Sequence, residues 1–106
     1  MDTAQSMHSV PGTVSATAWT SPWDLERGAE HAAPLCYWLG SPSLHQRGAA
    51  FRRAVAALAN AVDTLFAQHV GARAAGFIGD TFGWIDGDGY DLLVHAAEAL
   101  RASHVV

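Results

Sequence analysis

At 106 residues the chain is long enough for one hydrophobic core and too short for two, since a domain of this size hides roughly two-thirds of its unfolded surface. Half of the residues are hydrophobic and 15% are charged, a balance that excludes a disordered chain. A formal charge of −4, a pI near 5.8 and a single cysteine argue against a general nucleic-acid binder, an internal disulfide and a Cys-cluster zinc site.

Every basic side chain is arginine and alanine, leucine and valine dominate the apolar content, a bias that fits a GC-rich bacterial genome. The amino terminus lacks the basic start and apolar stretch of a secretory signal, and no window reaches about 18 uninterrupted apolar residues. The expectation is a protein that is cytoplasmic, or exported without a cleaved signal peptide, with no membrane partner.

Residues 1–20 are rich in Ser, Thr, Ala and Gly without helical or strand periodicity, and read as a flexible arm before a single helical domain over 21–106. Ser21-Pro22-Trp23-Asp24 carries the signature of a helix start, with a hydroxyl cap, proline in the first turn and an acid beside the positive end of the dipole. This first helix kinks near Pro34 and continues through the apolar run Leu35 to Leu39, stopping at Gly40-Ser41-Pro42-Ser43.

Ser43-Leu44-His45-Gln46 matches a capping box and opens a second helix. Phe51, Val55, Leu58, Val62, Leu65 and His69 follow a 4-3-4-3-4 spacing along one seam, flanked by alanines, until Gly71 can end the helix. The seam is too short for an independent coiled coil, so it packs inside a bundle or a dimer. Six of the ten glycines then lie between Gly71 and Gly89, interleaved with Phe77, Ile78, Phe82, Trp84 and Ile85. Asp88-Gly89-Tyr90-Asp91 opens a last helix whose apolar side is Leu92, Leu93, Ala96, Ala97 and Leu100.

Asp91, His95 and Glu98 fall at i, i+4 and i+7 of that helix, one face on which a divalent metal ion has oxygen and nitrogen donors. A solvated polar face accounts for the same residues, and no resident cofactor is otherwise implied. Asp86-Gly87-Asp88-Gly89-Tyr90-Asp91 fails the register of a calcium loop, because Asp91 stands where the required glycine belongs. Cys36 reads as a buried, inert thiol, and no GxSxG, phosphate-loop or dinucleotide pattern is present. Arg47, Arg52 and Arg53 form the sole basic cluster, which leaves a DNA-binding regulator as a third reading.

Trp38-Leu39-Gly40, placed between two helical segments of a chain of about a hundred residues, resembles the WXG100 (ESAT-6-like) proteins of type VII secretion. The resemblance spans residues 21–70 and implies a helical hairpin with the Trp-x-Gly at its turn, paired into homo- or heterodimers. The expected fold is therefore all-α, a small helical hairpin or three-helix bundle with a flexible N-terminal arm and a glycine-rich connector before the last helix. The expected function is a non-enzymatic interaction protein, dimeric through Phe51, Val55, Leu58, Val62 and Leu65 with Trp38 at the turn, and associated with type VII secretion. Enzymatic activity stays open, the alternative being a small metal-dependent enzyme or metal-binding protein using Asp91, His95 and Glu98. The expected partner is protein rather than nucleic acid.

Overall fold

The computed structural model describes residues 1–4, 9–22, 25–26 and 33–106. Among them run β1 (Thr13–Ala16), β2 (Leu35–Trp38), α1 (Gly48–Gln68), α2 (Val70–Ala75) and α3 (Asp88–Ala99). The two strands pair antiparallel, Thr13 opposite Trp38 and Ala16 opposite Leu35, so the expected all-α bundle is corrected to an α/β arrangement.

The correction has a local cause. β-Branched Thr13 and Val14 suit a pleated strand, and Val14 is wholly buried against the helices. The run Leu35 to Leu39 looks uniformly apolar, yet as a strand it divides by alternation: Tyr37 and Leu39 turn toward the core while Cys36 and Trp38 stay exposed. Cys36 is thus not the buried thiol expected. Beyond the ladder, Leu39 N–H donates to the Gly12 carbonyl at 2.8 Å, and Gly12 N–H to the Thr3 carbonyl at 2.7 Å. Part of the stretch read as a flexible arm is therefore held in a sheet. Gly12 itself has φ +85, and a Cβ there would stand 2.9 Å from the Trp38 ring. Most of the first helix expected from Ser21-Pro22-Trp23-Asp24 lies outside the described residues.

α1 begins later than the capping box implied. Leu44 is buried in the core, which holds residues 44–47 in a turn closed by Arg47 N–H to the Leu44 carbonyl at 2.9 Å. Arg47 occupies the N-cap position with no side-chain cap, and Ser43 N–H turns to Ser41 Oγ at 3.1 Å. Along α1, Phe51, Ala54, Val55, Leu58 and Ala59 are buried, whereas Val62 is half-buried and Leu65 is 38% exposed. The helix breaks at His69, in extended conformation with ψ 96, rather than at Gly71, which sits inside α2.

α1 touches both strands, α2 and α3. Its Phe51 ring meets Phe82 edge to face with centroids 5.5 Å apart, and Leu92 and Ala96 of α3 close the other side. Each fully buried Phe51, Val14 or Val55 side chain contributes about 1.5–3 kcal/mol of hydrophobic stabilisation. Among the described residues, no helix is long and apolar enough to cross a membrane.

Candidate functional site

Two adjoining clefts, of about 340 and 370 Å³, share Leu44, His45 and Trp84. The His45 and Trp84 rings stack with centroids 4.1 Å apart and planes 39° from parallel. His45 is exposed and Trp84 half-buried, so the pair forms an aromatic wall that is anchored on one side and wet on the other.

Gly89 sets Trp84 in place. A Cβ on that residue would fall against the Trp84 carbonyl oxygen and 2.5 Å from the ring atoms Cγ and Cδ2. Only a bare backbone in the first turn of α3 lets the indole lie this close. Phe82, two residues earlier, is buried in the core and ties the same segment down. The connector is thus an ordered loop around its second half.

The first cleft lies between the starts of α1 and α3. Gly48, Ala49 and Leu92 line it with small and apolar groups, and Arg52, Asp88 and Asp91 bring charge to it. The second is built from the amino-terminal residues. Met1 donates its ammonium to the Asp80 carbonyl at 2.6 Å, and buried Thr3 donates Oγ1–H to the Pro42 carbonyl at 2.8 Å. Burial pushes the Met1 amine below its ordinary range, against the opposing pull of Asp80 and Asp2. Asp2 is held between these two anchors, its Oδ1 accepting from Ala4 N–H at 2.8 Å, and it lines the cleft beside Trp84.

The residues singled out from the sequence are distributed differently. Phe51, Val55 and Leu58 are buried in this chain's own core; Val62 and Leu65 lie on the half of α1 that emerges from it. Trp38 sits on β2, 66% exposed, and not at a helical turn. His69 is exposed between α1 and α2. His95 Nε2 is 3.3 Å from the Arg52 carbonyl oxygen on α1. Among the described residues, no three His, Cys, Asp or Glu side chains come together to hold a metal ion. Asp91 instead lines the first cleft.

The place of Trp84 and Asp2 in the cleft walls was not legible in the sequence. The usable signal for Trp84 was Gly89, a glycine inside a helix, which costs about 0.5–1 kcal/mol relative to alanine and here has the indole against it.

Compared with known proteins, the whole chain, residues 1–106, matches the family described as mRNA cleavage and polyadenylation factor CLP1 P-loop. It is 35% identical over 106 residues to the polyribonucleotide 5'-hydroxyl-kinase Clp1 of Danio rerio. It is 32% identical over the same length to the protein CLP1 homologs of Dictyostelium discoideum and Arabidopsis thaliana. The alignments take in all of this chain but only 23 to 24% of those relatives, so the chain spans about a quarter of their length. These matches overturn the resemblance to WXG100 proteins, and with it the secretion-associated dimer. They also overturn the bacterial reading, since these relatives come from eukaryotes, and the exclusion of nucleic acid as a partner. A three-letter Trp-x-Gly motif was too short to carry a family, and net charge averages away a local surface.

Proposed function

The chain belongs to the CLP1 P-loop family of mRNA cleavage and polyadenylation factors, and from that premise we propose that it forms the RNA-contacting part of an RNA 5'-hydroxyl kinase. The observation that carries this reading is the match over residues 1–106, which brings the His45–Trp84 clefts into a family with relatives named for acting on RNA 5'-hydroxyls.

The chemistry divides naturally. Phosphoryl transfer needs a phosphate cradle, a group that orients the attacking hydroxyl, and a surface that holds the acceptor strand. The cradle, a GxxxxGK[ST] loop, is not among these 106 residues, which contain no lysine at all. No nucleotide-binding step is assigned to them.

What they supply is the other two functions. Single-stranded RNA is gripped by stacking its bases on aromatic rings, at about 1–3 kcal/mol per base. The wet face of the Trp84–His45 pair is such a platform, with Arg52 beside it to meet a base edge. In the adjoining cleft, the Asp2 carboxylate accepts hydrogen bonds, and an RNA 5'-hydroxyl laid there donates one to it.

Binding of 3'-labelled single-stranded RNA, followed by fluorescence anisotropy, tests the reading. We expect a 5'-hydroxyl RNA to bind more tightly than its 5'-phosphorylated form, and Trp84→Ala to weaken binding roughly five- to hundredfold, the range of one lost stack. Trp84→Phe keeps a ring and should restore most of it. The salt slope should be shallow, about −0.7 per phosphate contacted, because few cations line the site. Affinity indifferent to Trp84→Ala would sink the proposal.

A further inference from the structure

Resting on the RNA reading above, we infer that the cleft between the starts of α1 and α3 is a nucleobase subsite that selects guanine or cytosine over uracil. It is an open cleft whose lining mixes small, apolar, aromatic and charged groups, the mixture that a single base can meet with its face and its edge.

The walls suit a flat ring. At Gly48 a Cβ would already touch the Leu92 methyls at 3.6 and 3.9 Å, so the bare glycine leaves the surface there low and apolar. Trp84 and His45 stand at one side, which lets the base next to the stacked one turn inward along the same strand.

The rim decides which base. Asp88 and Asp91 come from the first turn of α3 and Arg52 from α1. Two carboxylates against one guanidinium disfavour a phosphate. They accept hydrogen bonds from N–H groups, and guanine offers N1–H and N2–H₂ to a single carboxylate while its O6 and N7 accept from Arg52. Cytosine presents N4–H₂ to the carboxylates and O2 to the guanidinium. Uracil has only N3–H, flanked by two carbonyl oxygens that would face Asp88 and Asp91, and their repulsion rejects it.

The test uses the intact chain and a set of 5'-hydroxyl hexauridylates in which one guanine or cytosine is walked through each position. Anisotropy should show one position at which guanine raises affinity about tenfold over uracil, within the discrimination a bidentate pair provides. Asp88→Asn and Asp91→Asn replace an acceptor by a donor and remove the repulsion against uracil, so they should cut that preference to threefold or less, in part by raising affinity for the all-uridine strand. Circular dichroism checks that these exposed substitutions leave the helices intact. If Trp84→Ala weakens every oligonucleotide but no position shows a base preference, or the preference survives both Asn variants, the subsite is refuted and the RNA reading stands. Should Trp84→Ala change nothing, the RNA reading itself has failed.

Discussion

Two helical glycines, Gly89 in α3 and Gly71 in α2, should respond to alanine with opposite signs. At Gly89 the added methyl would meet the Trp84 backbone oxygen as well as ring atoms at 2.5 Å, and a carbonyl fixed by its own chain cannot rotate aside. Overpacking of this kind costs about 1–3 kcal/mol, and the backbone contact puts it at the upper end. Alanine returns up to about 1 kcal/mol of helix propensity, so the net loss is about 2 kcal/mol. For a domain of this size each kcal/mol moves the melting temperature by roughly 4–8 °C, which makes the expected fall about 10 °C. At Gly71 nothing lies within 4 Å, so the same substitution should leave stability unchanged or raise it by up to about 1 kcal/mol. Urea denaturation followed at 222 nm measures both. Equal stability of the two variants, or undiminished RNA binding by Gly89→Ala, would refute the account of how Trp84 is held.

Other outcomes follow from the same structure. Phe51→Ala removes a fully buried ring and its edge contact with Phe82, and should cost about 3–5 kcal/mol, seen as a large drop in the urea midpoint. Gly12→Ala combines a left-handed φ of +85 with a Cβ 2.9 Å from the Trp38 ring; we expect at least about 1 kcal/mol of destabilisation, and faster amide exchange in β1 and β2 than elsewhere in the sheet-facing core. The Arg101–Asp63 ion pair joins side chains that are 72% and 51% exposed, so Asp63→Ala should change stability by no more than about 1 kcal/mol, less still in high salt.

The helices were legible because their evidence is local. The 4-3 spacing of Phe51, Val55 and Leu58 names the buried face of α1, and the acids at Asp88 and Asp91 mark the start of α3. The strands were not, because β1 meets β2 across residues far apart in the chain and offers only Val14 as a wholly buried apolar group. Without a visible partner, Leu35 to Leu39 resembled the end of a helix. The clefts stayed hidden for a similar reason: Asp2, His45, Trp84 and Asp91 are brought together by tertiary contacts, and their spacing carries no motif. The seam itself was read correctly as apolar, but periodicity does not say whether the chain's own core or another chain covers it.

α1 is buried unevenly, and its two ends should keep time differently. Amides around Phe51 to Ala59, under the sheet and α3, should exchange only when the whole domain opens. Those near Leu65 and Gln68, where side chains stand in water, should exchange through local fraying many times faster. Arg52 belongs to the slow end. That side of the clefts is therefore held by the slow-exchanging half of the helix, and the far end can fray without disturbing it.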